Sequence, residues 1–239
     1  MITLFHCMSA RSFRPLWALE ELGLPYELRM LPFPPRQHAR EYLSVNPLGT
    51  VPALLDGDVA MTESAAMCEY ICSKNGPTRL SIQPDHPQYG PYLNWLHFGE
   101  ATLTFPQAIV LRYGRFEPVQ RRVPQVATDY SKWFLSRAKG LVPPLLKNEY
   151  LCGGGLTAAD ISVGYALMLA GYVGLGDQLP LEVRAYWERL QTGSGYQRAL
   201  SAQLHAAHVQ GVPDTPAPLT LPDWLTWLIH GGLQTSHRF

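Results

Sequence analysis

The sequence predicts a small α/β domain followed by an all-helical domain. Strand and helix patterns alternate up to about residue 71, and from Pro87 onward apolar residues recur with helical spacing almost throughout. The stretch between them, residues 73–86, is rich in turn-forming residues and indicates a linker. We therefore expect one domain over residues 1–80, a second over 87–210 and a proline-rich extension over 211–239.

The first domain opens with strand, helix and strand. A short apolar run, Ile2–His6, predicts a buried strand, and apolar residues three and four apart predict a helix from near Ser12 to Gly23. Pro15 fits only in the first turn of that helix. A second strand is expected over Tyr26–Met30, after a Leu-Pro pair.

Residues 46–71 predict a turn, a strand, a tight Asp-Gly turn, a strand and a helix. Pro52 belongs at a strand start, where a cis X-Pro bond is often kept. The backbone of Val51 would then face outward and could bind an extended peptide at the sheet edge. Glu63 and Ser64 begin the helix, where free N–H groups favour a carboxylate ligand.

Composition narrows the classes of partner. The chain has 239 residues, and its 19 basic and 19 acidic residues cancel, so there is no global field to recruit nucleic acid or an anionic membrane. Charged residues make up only 16%, below the usual quarter. We therefore expect apolar surface to be buried in a pocket or a subunit contact, and a homodimer.

The cysteines predict neither a metal site nor a disulfide framework. Cys7, Cys68, Cys72 and Cys152 lack metal-ligand spacing, and we expect buried free thiols. The first residues show no secretory signal, and the longest uncharged apolar stretch is too short and glycine-rich to span a bilayer. A cytoplasmic protein without a bound metal is expected.

Taken together, Asn46–Ile71 resembles the glutathione-binding half of the cytosolic glutathione S-transferase superfamily, with its NP-x-G-x-VP pattern, short hairpin and Glu-Ser pair. The resemblance implies a thioredoxin-like domain that binds glutathione as co-substrate. It further implies that Val51, beside Pro52, pairs its backbone with the cysteinyl part. Glu63 and Ser64 would hold the γ-glutamyl amine and carboxylate.

The resemblance also implies polar contacts to the glycyl carboxylate from the region before Asn46-Pro47. Gln37 and His38 stand at about the matching distance from it. The alternative is that both are solvated helix residues without a ligand. Thr50 occupies a position where relatives often carry lysine or glutamine.

The loop after the first strand would carry the chemistry. In serine-type transferases the active serine lies five residues before an arginine in the first helix, which by resemblance assigns Ser9 and Arg14. Ser12 is the rival hydroxyl, but it is better placed as the helix N-cap, so Ser9 is preferred. Cys7 lies too early to match cysteine-type relatives, the segment has no tyrosine, and no C-x-x-C motif is present.

The expected task of that hydroxyl is to stabilise a thiolate. A thiol with a pKa near 8.5 is mostly protonated at neutral pH, and lowering that pKa by two units requires about 2.7 kcal/mol. One charge-assisted hydrogen bond plus a helix N-terminus can supply this. An electrophile would lie between the domains against residues including Met8, Arg11, Phe98, Thr102, Phe105, Arg112, Tyr113 and Tyr165.

Apolar spacing in the second domain predicts a long helix that starts near Tyr92 and that Pro106 should bend or end. It also predicts a helix over roughly Val126–Leu146, stopped by Pro143-Pro144.

Two further features concern the second domain and the tail. Thr157 and Asp160 form a capping-box variant, which the same family carries at the start of its central helix, so we assign Asp160 to structure and not to catalysis. Residues 223–229 offer an apolar surface too short to stand alone as a helix, which must dock or associate.

The predicted function is that of a glutathione transferase acting on a small hydrophobic electrophile. The same thiolate would serve ether cleavage, dehalogenation or peroxide reduction. A cis-trans isomerase remains an alternative, although the loop lacks the S-S-C run typical of such enzymes. A non-catalytic protein that binds glutathione or another ligand is the second alternative.

Overall fold

The structure, a computed structural model, describes residues 1–74 and 76–219. The apolar tail segment 223–229 lies outside the described residues. The first part of the chain contains strands and helices in mixed order. They are β1 (Ile2–His6), α1 (Phe13–Leu22), β2 (Tyr26–Met30), α2 (Pro35–His38), a 3-10 turn (Arg40–Ser44), β3 (Ala53–Asp56), β4 (Val59–Met61) and α3 (Ser64–Lys74).

The strands form one mixed sheet in the order β2-β1-β3-β4. β1 runs parallel to β2 and antiparallel to β3, and β3 runs antiparallel to β4. The parallel pair β1 and β2 needs a crossover connection, which α1 supplies. A tight turn at Gly57, with φ 60°, joins the antiparallel strands β3 and β4. The predicted strand and helix order of the first domain is confirmed.

The rest of the described chain is helical. Its α-helices are α4 (Tyr89–His97), α5 (Phe105–Leu111), α6 (Pro124–Ala138), α7 (Val142–Leu145), α8 (Ala158–Val173), α9 (Leu181–Gln191) and α10 (Ser194–Gln210). Two π-helical segments cover Phe98–Thr104 and Arg112–Phe116, and 3-10 turns cover Val119–Arg121, Lys139–Leu141, Gly176–Gln178 and Ala217–Leu219. None of the helices described is long and apolar enough to cross a bilayer.

One detail of the helical region differs from the sequence prediction. A helix ending at Pro143-Pro144 was expected over residues 126–146, but α6 ends at Ala138 and the two prolines instead lie in the first turn of α7. The backbone N–H groups of the first turn have no hydrogen-bond partner within the helix, so proline, which lacks this N–H, is favoured at a helix start. Pro106 likewise lies in the first turn of α5, directly after the first π-helical segment.

Helix α1 joins the two halves of the molecule. The Trp17 ring lies with its centroid 4.9 Å from that of Tyr196 on α10, in an edge-to-face arrangement. A Cβ at Gly164 of α8 would come within 2.9 Å of the same Trp17 ring, so glycine lets the α8 backbone approach α1. The main apolar core consequently runs through both halves without a break.

The start of the C-terminal extension packs on this framework. Val212 contacts the small apolar cluster around Met8, Met30 and Ala207, and Pro218 is buried with its carbonyl accepting a hydrogen bond from Arg115. The start of the extension thus contacts the body of the protein at Val212 and again at Pro218.

Candidate active site

Three segments leave the sheet at the same end. Phe5 of β1 faces Ala53 of β3, and Leu54 of β3 faces Met61 of β4. The loop that follows β1, the Val51-Pro52 bond that precedes β3 and the turn into α3 therefore emerge side by side. The Val51-Pro52 bond is cis, and within residues 1–74 and 76–219 the backbone N–H and C=O of Val51 have no hydrogen-bond partner.

Ser9 occupies an unusual backbone conformation in the first of these segments. Its φ is 50°, and among the described residues no other non-glycine has a positive φ. A left-handed conformation at a residue with a Cβ costs of order 1–3 kcal/mol and is concentrated at functional sites. The side chain is 2% exposed and is anchored on the helical half of the molecule.

Two residues of the helical half contact the Ser9 hydroxyl. Gln203 Nε2 of α10 lies 3.2 Å from Ser9 Oγ, and the Tyr172 hydroxyl of α8 lies 3.3 Å from it. Gln203 Oε1 also accepts a hydrogen bond from the Ser9 backbone N–H at 2.9 Å. The loop is therefore held from the opposite domain, by two residues that the sequence patterns did not single out.

Ser12, the rival hydroxyl, is at the N-cap position of α1 but makes no side-chain capping bond. It is fully buried, and its Oγ has no hydrogen-bond partner among the residues described. Ser12 thus occupies the expected N-cap position, but its side chain does not cap the helix. The backbone of Ser12 is already in the right-handed helical region, with φ −62° and ψ −13°, and not in the extended region that a capping residue usually adopts.

Cys7 is also unsuited to nucleophilic chemistry. Burial raises the pKa of its thiol to about 12, so the thiolate is not populated at neutral pH. Cys68, Cys72 and Cys152 are likewise buried and free, which confirms the prediction of buried free thiols. Among the described residues, no three His, Cys, Asp or Glu side chains are grouped as metal ligands.

Arg14 lies at the centre of the contact between the two domains. It is fully buried, and its guanidinium donates to Ser64 Oγ at 3.1 Å, to Thr104 Oγ1 at 2.7 Å and to the Glu100 carboxylate. It also lies 4.3 Å from the centroid of the Tyr165 ring. In the sequence, Arg14 was identified only by its spacing from Ser9. In the structure, its side chain links α1 to the start of α3 and to the helical half.

Ser64 and Glu63 differ in their surroundings. Ser64 is 2% exposed and begins α3, and because its Oγ accepts from Arg14, its own O–H remains available to donate outward. Glu63 directly before it is exposed. The pair therefore combines a hydroxyl donor with a solvated carboxylate at a helix N-terminus.

The residues expected at the glycyl end are all on the surface. Gln37, His38 and Thr50 are exposed, and the Thr50 carbonyl accepts hydrogen bonds from Tyr42 at 2.7 Å and from Asn46 at 2.8 Å. These two bonds fix the chain just before the cis bond. The side chains of Gln37 and His38 lie at the solvent-exposed surface.

The residues expected to line the electrophile side divide into three groups. Phe105 is 50% exposed, Tyr113 is half-buried and Arg11 forms a 2.9 Å ion pair with Glu100. Met8 and Tyr165 are instead buried, Met8 against Met30 and Ala207. Phe98 and Thr102 line a separate cavity of about 320 Å³, shared with Leu93, Asn94, His97 and Ala101.

Two exposed aromatic residues that the sequence patterns did not single out meet across the domains. Phe33, in the loop before α2, and Phe116, in the second π-helical segment, have ring centroids 5.5 Å apart. Each ring is more than 40% exposed. They form an exposed apolar contact between the loop before α2 and the helical half.

His6, directly before this loop, gives a pH-dependent prediction. Burial lowers its pKa from 6.5 to about 4, against the raising effect of hydrogen bonds to Gln203 and the Ser12 backbone. Between pH 6.5 and about 4, the His6 ring binds a proton in the unfolded chain but stays neutral in the folded protein. The free energy of unfolding should therefore fall by about 3 kcal/mol from this group as pH drops from 6.5 to about 4.

Urea unfolding of the wild type and of His6→Asn at pH 7 and at pH 4.5 measures this contribution. The wild type should lose more stability between the two values than the variant, whose amide does not titrate. Equal losses in the two proteins would show that the histidine is not held neutral in the folded state.

Comparison with known proteins agrees with this arrangement. The family model described as "Glutathione S-transferase, N-terminal domain" matches residues 8–74. The chain is 31% identical to glutathione S-transferase 3 of Schizosaccharomyces pombe, over 71% of this chain and 74% of that protein. It is also 31% identical to the probable glutathione S-transferase GSTF2 of Oryza sativa subsp. japonica, over 77% and 87%.

A solved structure extends the likeness to three dimensions. The glutathione transferase URE2P6 from Phanerochaete chrysosporium, in complex with oxidized glutathione, superimposes with a TM-score of 0.73 at 27% identity. The match covers 84% of this chain and 95% of that one. The fold is thus a thioredoxin-like domain followed by a helical domain, and the chain belongs to the glutathione S-transferase family.

Proposed function

We propose that this glutathione transferase uses the Ser9 hydroxyl to hold glutathione as a thiolate, which then attacks a small hydrophobic electrophile between the two domains. One observation carries the proposal. Ser9 has a left-handed backbone conformation, and it lies at the same end of the sheet as the cis Val51-Pro52 bond and the start of α3. The oxidized glutathione bound to the URE2P6 relative supports a site for the same tripeptide here.

Glutathione would lie along this end of the sheet. The unpaired backbone of Val51, beside Pro52, would bond the cysteinyl residue as an added strand does. At the N-terminus of α3, Ser64 would donate to the γ-glutamyl carboxylate and Glu63 would accept from its amine. Gln37, His38 and Thr50, all exposed, would reach the glycyl end.

The chemical step needs only modest stabilisation. A hydrogen bond from a neutral hydroxyl to a thiolate is charge-assisted and contributes about 1.5–3 kcal/mol, enough for a pKa lowered by one to two units. The thiol proton leaves to solvent, the sulfur forms a bond to the electrophilic carbon, and the leaving group departs with its electron pair. The domains supply orientation of the two reactants.

The second substrate would bind beside Phe105, Tyr113 and the guanidinium of Arg11. The exposed aromatic surface suits a small apolar molecule, and Arg11 could stabilise negative charge that develops on it. Met8 and Tyr165 would support this wall from behind, because their side chains are buried.

Ser9→Ala is expected to lower the rate of conjugation to an activated aryl chloride by tenfold or more, because the thiolate loses its donor. Ser12→Ala should stay nearly as active as the wild type. Steady-state kinetics of the two variants, with retention on a glutathione matrix as a test of binding, measure this. The opposite ranking would transfer the role to Ser12.

The same experiment separates the alternatives. Retention on glutathione without turnover in the wild type would favour a non-catalytic binding protein. Activity confined to peroxides, aryl ethers or a cis-alkene substrate in a substrate panel would instead favour the peroxidase, ether-cleaving or isomerase variants.

We also propose the organisation of the whole protein. Residues 1–80 would carry glutathione, 87–210 would carry the electrophile side and 211–239 would form an extension. The low charge content and exposed apolar side chains such as Trp133 support a homodimer, for which we also propose a cytoplasmic location. Light scattering coupled to gel filtration tests the dimer.

A further inference from the structure

We propose that Gln203, assisted by Tyr172, is a positioning residue that makes the Ser9 hydroxyl donate in one direction only, toward the glutathione sulfur. This inference rests on the proposed role of Ser9. It adds a requirement that the helical domain supplies, since Gln203 lies on α10 and Tyr172 on α8.

The orientation of the Gln203 amide follows from its partners. A backbone N–H can only donate, so the Gln203 atom 2.9 Å from the Ser9 nitrogen must be the carbonyl Oε1. The other end of the amide, 3.2 Å from Ser9 Oγ, is then the NH₂ group, which can only donate. The His6 ring lies 3.0 Å from Oε1 through Nε2, and must carry its proton there.

The consequence for Ser9 follows from counting its hydrogen-bonding capacity. A hydroxyl offers one donor and two acceptor positions. Gln203 occupies one acceptor position, and the Tyr172 hydroxyl can occupy the second at 3.3 Å. With both filled, the Ser9 proton has no partner left in this cluster and is free for the sulfur. Accepting two bonds also polarises the O–H and strengthens it as a donor.

The setting of Gln203 argues for a specific role. The side chain is 2% exposed and lies between Ala199 and Ala207, both fully buried, one helical turn to either side. Burying an amide on such a face is costly unless its polar atoms are bonded, and here each one is bonded to His6 or Ser9. The same contacts hold the left-handed conformation of Ser9.

Gln203→Glu is the sharpest test. A carboxylate keeps the shape and can still accept from the Ser9 N–H and from His6, but it cannot donate to Ser9 Oγ. It would instead accept the Ser9 proton and withdraw it from the sulfur. We expect kcat/KM for glutathione to fall about tenfold. In the pH profile of kcat/KM, the acidic limb should move to higher pH by about one unit. Gln203→Leu should give a similar loss.

Gln210→Glu is the matched control. Gln210 is on the same helix and also joins it to the first domain, through the Met30 N–H and the Leu28 carbonyl, each at 2.8 Å, without contacting Ser9. Its substitution should leave the pH profile of kcat/KM unchanged. A profile that moves equally in the two variants would indicate a general effect of the helix contact and would overturn the inference.

A double variant distinguishes the failure of this inference from that of the proposed function. In a Ser9→Ala background, Gln203→Glu should cause no further loss, because it acts through the missing hydroxyl. An additional tenfold loss there would overturn the inference. An unimpaired Ser9→Ala would instead defeat the proposed function. If the position-203 variants fail to fold, Tyr172→Phe provides the test. We expect its kcat/KM for glutathione to fall two- to threefold. An unchanged pH profile of kcat/KM in this variant would contradict the inference.

Discussion

Replacing Arg14 by methionine is expected to lower the free energy of unfolding by about 3–5 kcal/mol. The guanidinium is fully buried and has bonds to the Ser162 carbonyl at 3.1 Å, the Gly99 carbonyl at 3.2 Å, Ser64 Oγ, Thr104 Oγ1 and Glu100. Methionine fills a similar volume but donates no hydrogen bond. The Gly99 carbonyl keeps only the Thr104 hydroxyl, at 2.8 Å, and the Glu100 carboxylate keeps only Arg11. Each charge-assisted bond that is lost contributes about 1.5–3 kcal/mol.

The close approach of helices around Arg14 adds to this loss. A Cβ at Gly99 would come within 2.5 Å of Ser162, so the first π-helical segment and α8 are already in backbone contact there. The Arg14 guanidinium bridges these two backbones through the Ser162 and Gly99 carbonyls.

Urea unfolding of Arg14→Met beside the exposed control Arg29→Met measures the effect. Arg29 forms a surface ion pair with Glu27, and its loss should hardly move the midpoint. Arg14→Lys should recover part of the stability, because an ammonium keeps the charge but not the fork of five donors. An Arg14→Met midpoint equal to that of Arg29→Met would contradict the central role given to this side chain.

Asp160→Asn is expected to destabilise the protein by about 2–4 kcal/mol without a specific effect on chemistry. The carboxylate is fully buried and accepts bonds from the Leu151 N–H at 3.0 Å, from the Thr157 N–H and hydroxyl at 2.8 Å each, and from Tyr186 at 2.8 Å. Because all four partners donate, an amide NH₂ would face a donor on one side. Burial raises the pKa of this carboxyl, and the four donors oppose that rise.

Thermal unfolding and kinetics together test this assignment. Asp160→Asn should lower Tm while leaving kcat/KM of the folded fraction unchanged. Tyr186→Phe, which removes one of the four bonds, should lose roughly a third as much stability. A variant that keeps its Tm but loses activity would return Asp160 to the active site.

The parts of the structure that local signals encode could be predicted from the sequence. The hairpin at Gly57, the end of α1 at Gly23 and the capping box of Thr157 with Asp160 each depend on neighbouring residues, and all are present. The Pro143-Pro144 pair was misread because a proline pair can either end a helix or begin one. Only the packing of neighbouring helices decides between the two.

The partners of the candidate catalytic serine depend on contacts that are distant in sequence. Ser9 meets Tyr172 and Gln203 across 163 and 194 residues, and no local pattern encodes such a pair. The one available signal was a polar residue on a helix face of small apolar residues, with Ala199 and Ala207 four positions to either side of Gln203. A lone glutamine at such a position is common enough that it carries little weight without coordinates.

The most direct test of the account is the ionisation of glutathione on the enzyme. Ultraviolet absorbance of the thiolate, followed as a function of pH in the complex with glutathione, reports its pKa without an electrophile. In the wild type and in Ser12→Ala, the bound thiol should ionise about two pH units below free glutathione. In Ser9→Ala it should return at least one unit toward the free value. A Ser9→Ala complex that titrates like the wild type would contradict the claim that this hydroxyl stabilises the thiolate.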